Sequence, residues 1–224
     1  LTAPDSELAM GDEPAVIMNE FLIMPLKREY LKPVVEIHLE AFPGFFLTFL
    51  GPCFLKTFYG SFIGEKTAVA WVAQNAADGK VLGAVFGTTS PKGFFKRLVR
   101  RKWAAFGGAA LGALVKKPSI AGRLFRALFY RGDPPSRPGL ALLSSIAVSP
   151  GAQGKGVGKA LLDRWASEAE KKGCPGAYLT TDADGNDAVN QFYIRSGWTV
   201  EAAFVTPEGR RMNRYVVSFP GDGR

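Results

Sequence analysis

Histidine and cysteine are the residue types that this 224-residue chain has least of. It contains one histidine, His38, and two cysteines, Cys53 and Cys174, which lie far apart in the sequence. A zinc site needs several such ligands at close spacing, and a disulfide-stapled domain needs several cysteine pairs. The composition therefore argues against both, and we expect no metal. A hydrophobic fraction of 47% is that of a globular domain.

The chain also lacks a long apolar run. The apolar stretch at 103–115 has thirteen residues, whereas a transmembrane helix needs about 20. The first residues are polar and acidic, which is not the pattern of a signal peptide. We therefore expect a cytoplasmic protein in a reducing environment, with peripheral membrane association as the alternative.

Acidic residues are absent from one long segment. Residues 92–131 hold eleven Lys and Arg and no Asp or Glu; since the whole chain carries +8, the other residues sum to 8 − 11 = −3. Charge confined to one insert does not indicate general nucleic-acid binding, and we expect no nucleic-acid partner. Apolar and basic residues mix there at near-helical spacing, which is typical of a segment on an anionic membrane. Packing on the domain, on a second copy in a homodimer, or against an anionic substrate or partner fits the same pattern.

A glycine-rich run follows a predicted buried strand at 142–148. It covers 153–158 with glycine at alternate positions, and an amphipathic helix begins at Val157. The spacing fits neither a P-loop nor a dinucleotide fingerprint, whose third glycine would fall on Lys159. Glycines at a helix N-terminus let phosphate approach the backbone N–H groups and the positive end of the helix dipole. We therefore predict a phosphate-binding loop, with Lys155 and Lys159 adding positive charge.

Two blocks of the sequence resemble the GCN5-related N-acetyltransferases (GNAT). Residues 146–162 are similar to the acetyl-CoA loop of that family, and residues 179–198 are similar to its later strand and helix with Asn190 and Tyr193. The resemblance implies an α/β (α+β) fold with a mixed, mainly antiparallel sheet flanked by helices. The family has a short connection where this chain has its basic helical insert.

The order of the predicted elements agrees with this fold. Besides the strand at 142–148, we predict strands at 20–26, 68–74, 81–88, 178–182, 199–204 and 211–219, and helices at 28–41, 46–59, 157–169 and 187–195. A single domain at 19–219 follows a loose arm at 1–18, and the insert occupies about 90–138.

The resemblance also implies roles for individual residues. Acetyl-CoA is the expected co-substrate, with its pyrophosphate on the N–H groups of 153–158, its pantetheine arm along 146–148 and beside Asn190, and Tyr193 as general acid toward the sulfur. The predicted cofactor-binding residues are Ile146, Ala147, Val148, Gln153, Gly154, Lys155, Gly156, Val157, Gly158, Lys159, Asn186, Asn190 and Tyr193.

The general base remains open at the level of sequence. The strand before the loop holds no carboxylate, so the candidates are Asp182, Glu40 and His38, and an amine of low pKa could also lose its proton to water. We expect His38, Glu40 and Phe45 to contact the substrate.

The acceptor is expected to be a primary amine of a small molecule. Residues 37–59 resemble acetyltransferases of bacterial surface-glycan pathways, which adds an amino sugar or another glycan-linked amine to the expected acceptors. The alternative function is a non-catalytic acyl-CoA-binding or membrane-recruited regulatory module on the same fold.

Overall fold

Eight strands form one sheet. The computed structural model describes residues 16–18, 20–44, 46–116, 139–207 and 209–220. The strands are β1 (Val16–Met18), β2 (Phe21–Pro25), β3 (Ala68–Asn75), β4 (Val81–Thr88), β5 (Ala141–Val148), β6 (Gly176–Asp182), β7 (Thr199–Val205) and β8 (Arg211–Ser218). Their order is β1-β2-β3-β4-β5-β6-β8-β7, and every neighbouring pair is antiparallel except β5 and β6. The predicted mixed, mainly antiparallel sheet is confirmed.

Seven α-helices flank the sheet within the described ranges. They are α1 (Leu31–Ala41), α2 (Phe46–Phe49), α3 (Gly51–Gly60), α4 (Phe94–Arg101), α5 (Trp103–Lys116), α6 (Val157–Lys171) and α7 (Asp187–Arg195). The bounds of β4 and α7 are those predicted from the sequence. In the part of the chain that the structure describes, no helix combines the length and the apolar character needed to cross a bilayer.

Two elements differ from the predictions. Strand β1 lies within the stretch predicted as a loose arm, because residues 16–18 pair with β2. The helix predicted at 46–59 is broken at Leu50, since Gly51 has a φ of +83° and Pro52 occupies the first turn of α3. The helical pattern at 120–130 lies outside the described residues.

The sheet is covered on both faces. Alternate residues of β3 point to opposite sides, so Trp71 packs with Leu161 and Trp165 of α6, whereas Val72 packs with Phe86 and the residues of α1, α3 and α4. The face that carries α6 and α7 therefore has a core of its own, and α1, α3 and α4 cover the other face.

The described part of the basic insert packs on the second of these cores. Phe94 and Leu98 of α4 are buried there. In α5, the ring of Phe106 lies edge-on to Phe54 of α3, with the ring centroids 5.4 Å apart. Of the alternatives for the insert, α4 and the start of α5 therefore show the packing of its apolar side on the domain.

Candidate active site

A gap opens in the sheet between β5 and β6. The two strands pair only through Ala141 with Ala177 and Leu142 with Tyr178. Beyond these pairs β5 continues to Val148 and β6 continues to Asp182. We call this gap the wedge. Residues 143–148 therefore face the wedge along a strand edge that pairs with no other described strand, and such an edge can add an extended ligand by main-chain hydrogen bonds.

A β-bulge lies in β5 beside the wedge. Phe86 of β4 is opposite Ser145 and Gly87 is opposite Leu143, so Ser144 is an extra residue in β5. The Ser144 hydroxyl donates a hydrogen bond to the Phe86 carbonyl at 3.0 Å. A bulge bends its strand and increases its twist, which contributes to the divergence of β5 from β6. The sequence pattern alone predicts a regular strand here, without the bulge.

The predicted phosphate-binding loop lies at the N-terminus of α6. Gln153, Gly154, Lys155 and Gly156 are exposed. Gly154 and Gly156 have φ values of +75° and +80°, and an added Cβ at either would meet no atom within 4 Å. The loop is thus held open toward solvent. The side-chain amide of Gln153 supports it by donating a hydrogen bond to the Val148 carbonyl at 3.3 Å.

Gly158 is where the loop, the end of β5 and α7 meet. A Cβ added to Gly158 would lie 3.6 Å from the ring of Phe192 and 3.6 Å from Cγ2 of Val148. The structure therefore brings the predicted residues of the loop, the strand edge and the later helix to one place, although they are about forty residues apart in the sequence.

The two lysines of the loop have different surroundings. Lys159 forms an ion pair with Asp163 one turn later on α6. Lys155 lines a cavity of about 170 Å³ together with Glu20, Lys80 and Ser149. Lys155 and Lys80 therefore place two positive charges beside the loop, and Glu20 places one negative charge there. Lys80 is not among the residues predicted from the sequence, because it precedes β4 and lies next to the loop only through the pairing of β4 with β5.

Asn190 anchors α7 to the sheet. Its amide nitrogen donates to the carbonyls of Asp182 at 3.0 Å and Asn186 at 2.9 Å. Its oxygen accepts hydrogen bonds from the Tyr215 hydroxyl at 2.8 Å and from Asn213 at 3.2 Å. These bonds use both donors and the acceptor oxygen of the side chain. Asn190 therefore positions the start of α7, and its predicted contact with a cofactor stays a prediction.

Asn186 closes the same turn before α7. Its side-chain amide donates to the Thr181 hydroxyl at 2.8 Å and to the Asp182 carbonyl at 3.1 Å. The end of β6 and the start of α7 are thereby fixed relative to each other, which sets one wall of the wedge.

Tyr193 lies on the same side of α7, one turn after Asn190. It is buried among aromatic rings, with its centroid 5.2 Å from that of Phe192 and 5.6 Å from that of Tyr215. Burial, together with the neighbouring Tyr215, raises the pKa of Tyr193 above its usual value. Its hydroxyl therefore keeps its proton at neutral pH, and a protonated hydroxyl is what a proton donor requires.

The candidates for a general base lie apart from one another. Both carboxylate oxygens of Asp182 are held by Arg210, at 2.7 and 2.6 Å. Glu40 is exposed on α1, and His38 is buried with 2% of its surface accessible, so the two side chains point in opposite directions from one helix. Asp182 is thus held in an ion pair and His38 is buried, and the roles predicted for Asp182, Glu40 and His38 stay predictions. Phe45 lies outside the described residues.

His38 is instead the inner end of a chain of hydrogen bonds that reaches β5. Its Nδ1 lies 2.7 Å from the Tyr59 hydroxyl, which lies 3.4 Å from the hydroxyl of Ser145. Burial lowers the pKa of His38 to about 4 and raises that of Tyr59. All three groups are therefore neutral at pH 7. Tyr59 and Ser145 are not among the residues predicted from the sequence, since a contact between residues 59 and 145 leaves no local pattern.

Comparisons with known proteins agree with this fold. The model of the Acetyltransferase (GNAT) family matches residues 31–198. A mycothiol acetyltransferase of Renibacterium salmoninarum is 28% identical over 155 residues, which are 68% of this chain and 44% of the relative, so the chain spans less than half the length of this curated relative.

Solved structures show the same fold at low sequence identity. An N-acetyltransferase from Staphylococcus aureus Mu50 has a TM-score of 0.57 at 16% identity, covering 88% of this chain and 98% of its own. The ribosomal-protein-S18-alanine N-acetyltransferase from Escherichia coli has a TM-score of 0.52 at 18% identity, covering 91% and 98%.

Proposed function

Because this chain belongs to the Acetyltransferase (GNAT) family, we propose that it transfers an acetyl group from acetyl-CoA to a primary amine of a small molecule. The observation that carries the proposal is the wedge itself. An open strand edge at 143–148 ends in a loop with two left-handed glycines at a helix N-terminus. The edge can pair with the amides of a pantetheine arm, and the loop can hold a pyrophosphate.

The residues present fit a CoA-type ligand. The positions of Gly154 and Gly156 leave open space where a side chain would block a phosphate. Lys155 and Lys80 add positive charge on the outer side of the loop. In this proposal the N–H groups of 153–158 hold the pyrophosphate and the N–H of Val148 or a neighbour polarises the thioester carbonyl.

Tyr193 is the proposed general acid. The amine nitrogen forms a bond to the thioester carbon, the carbon–sulfur bond breaks, and the leaving sulfur takes the hydroxyl proton of Tyr193. Because burial raises the pKa of Tyr193, its hydroxyl is protonated at neutral pH and can donate to the leaving sulfur. The amine loses one proton to water, and the Tyr193 oxygen regains one proton from water, which restores the hydroxyl.

The proposed acceptor is an amine of low pKa, with amino sugars as the class to test first. The two strands that flank the wedge carry one carboxylate, Asp182, and Arg210 holds both of its oxygens. An ammonium of high pKa would need a base to deprotonate it, whereas an amine that is partly neutral at pH 7 reacts without one.

The test replaces the Tyr193 hydroxyl. Tyr193→Phe should bind acetyl-CoA within about twofold of the original chain by calorimetry and should release thiol at least about 100-fold more slowly with an active amine. Tyr30→Phe is the matched control, because it removes a hydroxyl whose neighbour is Met24 Sδ. Failure of the original chain to bind acetyl-CoA would refute the proposal. Unchanged turnover in Tyr193→Phe would remove Tyr193 from the acid role.

A screen of glucosamine, spermidine and a short peptide, read by thiol release, tests the acceptor class. Higher kcat/KM for the amino sugar supports the proposal. Binding of acetyl-CoA without acetylation of any amine class would favour the non-catalytic module instead.

A further inference from the structure

An exposed strip of basic residues ends in an exposed tryptophan on the insert. The strip consists of Lys92, Lys96, Arg100 and Trp103, and each of these side chains is exposed. Lys96 and Arg100 are four residues apart on α4 and share one side of that helix. We infer that this basic strip is a docking surface for the anionic face of a lipid bilayer. The inference does not depend on acetyl transfer.

The basic residues of α4, together with Lys102 directly after it, divide into two sets. Arg97, Arg101 and Lys102 turn toward the protein: Arg97 donates to the Ser90 carbonyl at 3.0 Å, and Lys102 donates to the Gly60 carbonyl at 2.8 Å. Arg101 likewise donates to two carbonyls of the turn after α3 and pairs with a carboxylate there. These three side chains fasten the helix to the domain. Lys96 and Arg100 lie on its outer side, where their charge faces solvent.

Trp103 supplies the apolar part of the strip. It is 73% exposed, whereas Trp71, Trp165 and Trp198 are buried. An indole ring has a large apolar surface and one N–H donor, and this combination suits the headgroup region of a bilayer. The residues after it, Ala104 and Ala105, are also exposed, so the two residues that follow the indole place neither an acidic nor a bulky polar side chain beside it.

The strip is held in a fixed position relative to the domain. Phe94 and Leu98, on the inner side of α4, are buried in the core beside Phe62 and Phe86. The strip presents three of the six positive charges of residues 92–103, those of Lys92, Lys96 and Arg100, and this segment holds no acidic residue. Each basic residue that reaches an anionic leaflet raises the membrane partition coefficient about fivefold. Charge complementarity therefore favours anionic lipid over a neutral surface.

Vesicle flotation of the full chain tests the charge contribution. The chain should float with phosphatidylcholine vesicles that contain about one third phosphatidylserine and stay behind with pure phosphatidylcholine, and high salt should release it. The double variant Lys96→Gln/Arg100→Gln should partition about 30-fold more weakly. Lys171→Gln/Arg195→Gln is the control with the same loss of charge on exposed positions of α6 and α7, and it should bind within about twofold of the original chain.

Tryptophan emission gives an independent measurement. Because three of the four tryptophans are buried, a blue shift on adding anionic vesicles would report Trp103, and Trp103→Phe should abolish it. Equal flotation with neutral vesicles, unweakened binding of the Lys96→Gln/Arg100→Gln variant, or an unchanged emission would each overturn the inference. So would a dimer in light scattering that Trp103→Phe dissolves, because the strip would then be an interface between copies of the chain.

Discussion

His38 supplies the only imidazole of the chain, and it is buried between α1 and α3. Its partner at 2.7 Å is the hydroxyl of Tyr59. Burial lowers the pKa of His38 from 6.5 to about 4, because a charged imidazolium would lose its hydration. Since an unfolded chain exposes the same imidazole to water, the unfolded state takes up this proton at a higher pH than the folded state does.

We predict that this histidine makes the free energy of unfolding depend on pH. Between pH 6.5 and 4 the unfolded state binds more protons, so the contribution of His38 is complete above pH 6.5 and is lost as the pH falls toward 4. From pH 7 to pH 5 the loss is about 2 kcal/mol. Urea unfolding at both values measures it, and His38→Gln, which keeps a polar group near Tyr59, should flatten the dependence. An equal change in the free energy of unfolding between pH 7 and pH 5 in both proteins would contradict the prediction.

The glycines of the loop differ in what an alanine would cost. At Gly156 the space is open but φ is +80°, whereas at Gly158 the neighbours are at ordinary contact distances and φ is in no unusual region. Gly156→Ala should therefore destabilise the fold by about 1–2 kcal/mol. Gly158→Ala should leave the stability unchanged or raise it by up to about 1 kcal/mol, since alanine favours a helix.

At Gly158, we expect acetyl-CoA binding and the free energy of unfolding to respond differently to an added methyl group. If a phosphate approaches the first turn of α6, the added methyl group should weaken acetyl-CoA binding by about tenfold, the loss of about one hydrogen bond. Calorimetry and urea unfolding of the same variant measure the two effects. A Gly158→Ala protein that binds acetyl-CoA as the original chain does would show that the phosphate is held elsewhere.

At the scale of elements, the packing of β4, β5 and α6 depends on a close contact at Gly87. A Cβ at this position would lie 2.3 Å from the Leu142 carbonyl oxygen and 2.5 Å from the indole of Trp165. Trp165 is fully buried between α6 and the sheet. The glycine therefore sets how closely α6 approaches the two strands that lead to the wedge.

We predict that Gly87→Ala destabilises the protein by about 1–3 kcal/mol, because Trp165 and β5 must shift to admit the methyl group. Gly107→Ala is the matched control: this glycine is exposed in α5, and a Cβ there meets no atom within 4 Å. The control should gain up to about 1 kcal/mol from helix propensity. Thermal unfolding measures both, and equal midpoints would contradict the role given to Gly87.

The elements that the sequence predicted well are those with a local signal. Strand β4 and helix α7 have the predicted bounds because apolar periodicity and their flanking turns are encoded within each segment. The break before α3 also has a local signal, the dipeptide of Gly51 and Pro52, which the analysis did not use. The bulge at Ser144, the contact of Gly87 with Trp165 and the wedge arise from pairing between distant strands, and a single sequence does not reveal that register.

At the scale of the whole molecule, the candidate site joins segments from all along the second half of the chain. The edge of β5, the loop before α6 and the start of α7 each supply one wall. A ligand that contacts all three binds the folded state only, so its binding should raise the stability of the entire fold.

We predict that acetyl-CoA at about 100 times its Kd stabilises the chain by about 2.7 kcal/mol. For a protein of this length, the midpoint of thermal unfolding should rise by about 5–10 °C. Tyr193→Phe should keep the shift, because it removes a proton donor and leaves the walls in place, whereas Gly158→Ala should reduce it. An unshifted midpoint in the original chain would argue against a CoA site in the wedge.

Because β5 and β6 share so few residue pairs, a small rotation at these pairs would be amplified at the far end of β5. Two residue pairs form the pivot, and the arm from 143 to 148 extends about 20 Å beyond it. Because β4 pairs with 143–148 along this whole stretch, β4 and the arm must move together, and a rotation of about 5° at the pivot would displace the far end by roughly 2 Å. Helix α6 contacts β3, β4, β5 and β6 and so packs on strands on both sides of the pivot. The width of the wedge is thereby coupled to how α6 packs on these four strands, on the face of the sheet that also carries α7.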